Sequence, residues 1–157
     1  MRVWIAALFI VGLAVLGAKP ALADPVYEAR TAVGACLAAV IDGAPVADAQ
    51  DQGVALHRET NPNLCTVTVA AGEPAEVREA VIAVVARRAE GFAPAKTAWD
   101  PGPLASRETF CNRPGRRAVN LVLETAKPGA SPVLRVTVIE GRTRDQRCDL
   151  DMGLQRP

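Results

Sequence analysis

Histidine, serine and aromatic residues are scarce in this chain. One histidine, His57, and two serines, Ser106 and Ser131, occur among 157 residues. Neither serine sits in a G-x-S-x-G elbow, and both fall in proline-bearing loop stretches, so a Ser-His-Asp reading has little to build on. Aromatics make up 4% of the chain, and beyond residue 23 only Tyr27, Phe92, Trp99 and Phe110 remain. So few rings argue against sugar stacking, and against the interleaved aromatics of a nucleic-acid surface. No P-loop, G-x-G-x-x-G or EF-hand loop is present, and no C-x-x-C pair is available for thiol redox chemistry or zinc. No cofactor and no metal is expected.

The first 23 residues, MRVWIAALFIVGLAVLGAKPALA, have the layout of a secretory signal peptide. Arg2 supplies the positive start, Val3 to Ala18 is apolar, and Ala21-Leu22-Ala23 is an A-x-A cleavage site. Cleavage is expected after Ala23, leaving residues 24–157 as one exported domain, periplasmic or secreted. The apolar run is short for a membrane span, and Lys19 and Pro20 follow it. An uncleaved anchor holding an envelope structural protein is the alternative.

All four cysteines, Cys36, Cys65, Cys111 and Cys148, lie beyond the cleavage point. An even count in an exported chain reads as two disulfides. The expected pairs are Cys36–Cys65 and Cys111–Cys148, each closed within one half of the sequence. Cys36 falls on the apolar face of a helix and Cys65 on the apolar face of a strand, so packing one on the other would join them.

The clearest stretch is Leu64 to Gly91. Cys65, Val67 and Val69 alternate with Thr66 and Thr68, the period of a half-buried strand. Ala71-Gly72 breaks that pattern, and Pro74 suits a first helical turn. Val77, Val81, Val84 and Val85 then form a helical stripe that ends at Arg88. Early Glu73, Glu76 and Glu79 and late Arg87 and Arg88 complement the helix dipole. Pro25 to Ile41 is a second helix, with Asp24 as N-cap and Gly43 as stop. Pro45 to Arg58 reads as a short helix on the spacing of Val46, Ala49, Gly53 and Leu56.

Phe92 to Ser106 is a Pro/Gly-rich loop with an extended piece near Lys96–Trp99, in which Trp99 is expected to cap the core edge. Three strands follow, at 107–112, 118–125 and 133–140, joined by short turns and so expected to be antiparallel. The fold class is α+β: helices on one face of a small, mainly antiparallel sheet, in the order α-α-β-α-β-β-β. The outer sheet face, with Arg135 and Thr137, is left for solvent or a partner.

Charge is split along the chain. Residues 24–90 hold ten acidic and five basic side chains, net −5, and residues 91–157 hold seven and eleven, net +4. The basic half contains the one constellation suited to an anion. Arg113, Arg116 and Arg117 share a turn, and Arg142, Arg144 and Arg147 follow the last strand, at the same end of the meander. Six guanidinium groups there would suit carboxylate or phosphate.

The functional expectation is a small, disulfide-stapled binding or inhibitor-like module, more a binder than an enzyme. Its expected partner is a protein or an anionic envelope component rather than nucleic acid. A secreted hydrolase using His57 is the alternative.

Overall fold

A computed structural model describes residues 24–51, 53–88, 91–95, 100–112 and 118–141. The signal-peptide stretch, Trp99, Cys148 and all six arginines of the expected anion patch lie outside the described residues.

Helix α1 is Pro25–Leu37, continued by one π-helical turn, Ala38–Asp42. Its start is dictated locally. The Asp24 side chain accepts the Val26 N–H at 3.0 Å, and Pro25 occupies the first turn, where a missing N–H costs nothing. Gly43 stops it with φ of 71°, a left-handed conformation that suits glycine. Helix α2 is Pro74–Ala86 and buries Val77, Val81 and Val85 on one face. Gly72, just before it, has φ of +112°, and a Cβ there would meet Val77 at 3.0 Å and Pro25 at 3.3 Å. The N-termini of the two helices therefore approach each other at a point where only glycine fits. At the other end Arg88, following α2, reaches both Asp42 oxygens at 3.1 Å. With both ends matched, α1 and α2 run side by side in the same direction.

The strands are β1 (Ala49–Gln50), β2 (Val54–Glu59), β3 (Asn63–Val69), β4 (Ala93–Pro94), β5 (Ser106–Cys111), β6 (Ala118–Thr125) and β7 (Leu134–Gly141). They form one antiparallel sheet in the order β1-β2-β3-β7-β6-β5-β4. The chain thus lays down a helix and a meander twice, and the two meanders join where β3 pairs with β7. The expected antiparallel arrangement of the last three strands is present as β5-β6-β7.

The alternation in β3 works as its sequence implies. Cys65, Val67 and Val69 are fully buried, while Thr66 and Thr68 are half-exposed on the opposite face. Leu134, Val136 and Val138 of β7 and Leu121 and Leu123 of β6 extend the same inner face. These strands and the two helices share a single hydrophobic cluster. The expected Cys36–Cys65 bridge is present, with Cα atoms 5.4 Å apart, and it fastens α1 to β3 inside that cluster. One disulfide is seen among the described residues; the second expected pair involves Cys148, outside them. No described cysteine is a free thiol.

Two expectations about the fold are corrected. Pro45 to Arg58 is not a helix. It supplies β1 and β2, so the described chain has two helices and a seven-stranded sheet, not three helices and four strands. Three of the residues that suggested a helical stripe have strand roles instead. Gly53 belongs to the tight connection in which the Asp51 N–H donates to the Val54 carbonyl at 2.9 Å. Ala49 pairs with Leu56 across that hairpin. Val54 and Leu56 are buried with Ala55 half-buried between them, a period of two rather than 3.6. The deciding force is pairing: β3 offers a second row of backbone groups that must be satisfied, and β2 satisfies it over six residue pairs. The stretch after Phe92, expected as loop, holds the short strand β4 at Ala93–Pro94, while the extended piece expected near Lys96–Trp99 lies outside the described residues.

Charged groups at two of the layer boundaries are paired. Arg78 of α2 grips Glu108 of β5 in a bidentate contact of 2.5 and 2.6 Å. Where β3 begins, the Asn63 amide donates to the Val40 carbonyl at 3.0 Å and to Glu140 at 2.6 Å, while Arg58 donates to the Leu64 carbonyl at 2.8 Å and to the Asn63 side-chain oxygen. These bonds lock the end of α1 to the sheet.

Two stability predictions follow from this packing. Replacing Cys36 and Cys65 together by alanine frees a loop of 29 residues, which the chain-entropy model values at about 3–4 kcal/mol. Urea denaturation should show that loss, and an unchanged midpoint would remove the bridge from the list of stabilising features. Val81→Asp places an unpaired charge at a fully buried position and should abolish the cooperative thermal transition.

Candidate functional site

Of the expected functional residues, His57 is the one whose surroundings are described. It lies in β2 on the sheet face away from the helices, opposite Thr66 of β3. Its Nδ1 is 2.8 Å from Asp48 Oδ2, and its Nε2 is 3.5 Å from Glu59 Oε1. Asp48 also accepts the Arg58 N–H at 2.7 Å through its other oxygen. That double acceptance ties the segment leading into β1 onto β2. The same contacts shift both groups. The Arg58 N–H and then the His57 ring hold the Asp48 carboxyl below its ordinary range. The hydrogen bond to Asp48, with its negative charge and a smaller effect of Glu59, raises the His57 pKa.

This arrangement orients an imidazole without giving it anything to activate among the described residues. Ser106 begins β5, separated from β2 by β3, β7 and β6, or roughly 19 Å at ordinary strand spacing. The Ser131 hydroxyl donates to the Ala70 carbonyl at 3.2 Å, beyond the Val54 end of β2 and away from His57. Among the described residues no group of His, Cys, Asp or Glu is placed to hold a metal.

The structure contains a feature that the sequence reading missed. The sheet has seven strands and the layer on its inner face has two helices, α1 over β2 and β3 and α2 over β6 and β7. The strip beside α1, over β1 and the near half of β2, is covered by no other described element. It forms an open groove of about 430 Å³, walled by Tyr27, Glu28, Thr31, Ala32 and Ala35 of α1 and by Ala49, Gln50, Asp51, Val54 and Leu56. Its floor is apolar. Tyr27, on the α1 wall, is 67% exposed and is the one large hydrophobic residue left exposed among those described. Misreading 45–58 as helix concealed this site, because a helix there would have offered no edge strand. The poorly charged, alanine-rich outer side of α1 was the available clue.

A second, smaller hollow of about 280 Å³ lies at the turn between β6 and β7, lined by Leu104, Glu124, Lys127, Pro132 and Arg135 among others. The outer sheet face carries half-exposed Thr66, Thr68 and Thr137 and exposed Arg135, and Arg107 lies 3.3 Å from Glu124 there. No described helix is long and apolar enough to cross a membrane. No protein-family model matches this chain, and no similar curated protein or solved structure was found.

The His57 contact has a definite pH signature. A raised histidine pKa stabilises the fold in full below the ordinary value of 6.5, and the contribution is lost as pH rises through the folded-state value. A lowered Asp48 pKa contributes above its ordinary 3.8 and is lost as pH falls through its own folded value. The contact is therefore fully made between those two ordinary values. An NMR titration of the His57 ring should give a midpoint above 6.5, and Asp48→Asn should bring it down. A midpoint at or below 6.5 in the unmodified protein would contradict the geometry.

Proposed function

We propose that this protein is an exported, disulfide-stapled binding module, inhibitor-like in acting without catalysis, and that it takes its partner in the groove between α1 and β1. The observation that carries the reading is the groove itself: preformed, floored by Ala32, Ala35, Val54 and Leu56, and walled in part by an exposed tyrosine. Open apolar surface of this kind costs stability in water and is retained where something covers it. Tyrosine is the side chain most suited to that task, with a large apolar body, a polar tip and little entropy to lose. The floor is rigid, because Cys36 is bonded to β3 one residue beyond Ala35 and cannot shift with the partner. Export rests on the signal-peptide pattern of residues 1–23 and on cysteines that form a disulfide.

A His57-dependent hydrolase is the second reading, supported by the 2.8 Å contact that orients the ring. His57→Ala separates the two, since a hydrolytic activity that survives the substitution does not use this residue.

Photo-crosslinking tests the binding reading with the full chain expressed in its own cell. A benzophenone amino acid replacing Tyr27 should give a discrete adduct, and one replacing exposed Glu79 on α2 should not. Ala35→Trp, which fills the groove, should remove the adduct while leaving the melting temperature within a few degrees. Equal adducts from both positions, or adducts indifferent to Ala35→Trp, would place binding elsewhere.

A further inference from the structure

We propose that the occupant of this groove is an extended protein segment with apolar side chains at alternate positions and a lysine or arginine beside them, laid along β1 as an added strand with its cation at Glu28. The proposal rests on the groove reading above and adds the chemistry of the partner.

Three observations support the extended form. First, β1 is the edge of the sheet. Second, the Asp51 N–H bonds to Val54 across the hairpin. In an antiparallel ladder the intervening residue then faces the other way, so the N–H and C=O of Gln50 point to the open side. A strand added there finds a donor and an acceptor ready. Third, Ala49, Val54 and Leu56 line the groove, with Ala49 opposite Leu56, so the groove opens on the helix side of this edge. An added strand would drop every second side chain into it and turn the others to solvent. A volume of about 430 Å³ lies within the usual range of roughly 300–1,000 Å³ for side-chain and small-ligand pockets.

Charge selects the partner. Among the described residues the groove walls carry two carboxylates, Glu28 and Asp51, and no cation. Glu28 is half-buried, and among the described residues its carboxylate has no hydrogen-bond or ion-pair partner. It leans from α1 over the β1–β2 turn, with Oε2 4.0 Å from where a Cβ on Gly53 would stand. The surrounding half of the molecule has the same sign: residues 24–72 contain six acids and two arginines, net −4. Arg58 is already bonded to Asn63 and Leu64, and the remaining arginine, Arg30, does not line the groove. An apolar floor beside the unpartnered Glu28 carboxylate favours a segment that brings both apolar groups and positive charge, and repels acidic ones.

The test is selection from a phage-displayed library of random twelve-residue peptides. The target is the protein produced from its full chain, with the Ala35→Trp and Glu28→Gln variants as counter-targets. The expected winners combine two apolar residues at i and i+2 with a neighbouring lysine or arginine. As synthetic fluorescein-labelled peptides they should bind about tenfold more weakly to Glu28→Gln, and more weakly again in 0.5 M NaCl. Winners that avoid Ala35→Trp but are neutral or acidic, or that bind Glu28→Gln undiminished, would overturn the cationic partner and leave the groove reading standing. Winners whose backbone amides tolerate N-methylation throughout would overturn the added-strand geometry. Selection that yields nothing sensitive to Ala35→Trp would overturn this proposal together with the groove reading.

Discussion

β3 has no free edge, and that constraint organises the molecule. Its inner residues Cys65, Val67 and Val69 are fully buried, so both rows of its backbone groups must be bonded within the protein. β2 takes one row and β7 the other. The first choice turns the segment before β3 into a strand. The second joins the two halves of the chain into one sheet. Cys65 then adds a covalent tie to α1, and the turn after Val69 leads through Gly72 into α2, with its N-terminus against that of α1. A helix pair fastened at both ends over a strand paired on both sides leaves little freedom in the middle of the structure.

The edges are where freedom remains. Two parallel helices span less width than seven strands, so among the described residues the inner face is bare beside α1. The sheet order also sets the acidic start of the chain on one side of the molecule. The first meander, with α1, occupies that side, where residues 24–72 hold six acids and two arginines. The groove, the edge strand β1 and the negative charge therefore coincide, although no two of them required the third. This coincidence, more than any single residue, supports recognition over catalysis. The one histidine is held between two carboxylates on the opposite face, where its evident effect is to pin the segment that leads into β1.

That pinning connects the two features. Asp48 holds Arg58 and His57 immediately before Ala49 starts β1. The edge on which the proposed partner would lie is thus fixed by a contact that weakens above the titration of His57 and below that of Asp48. The groove floor, held by the disulfide and by Val54 and Leu56, contains no titrating side chain of its own.

Wherever local pattern and burial agreed, the sequence by itself determined the outcome. The alternation of β3, the Asp24-Pro25 start and Gly43 stop of α1, the valine stripe of α2, the antiparallel order of β5 to β7 and the Cys36–Cys65 bridge were all legible, because each depends on neighbours a few residues away or on two faces that must meet. The structure of 45–58 was not. Its apolar residues fit a helical spacing about as well as a strand, and only the unpaired edge of β3, far off in neither sequence nor space but invisible to periodicity, made strand the lower free energy. The groove followed from that decision. A cavity is a difference between the widths of two layers, and no window of sequence contains both layers at once.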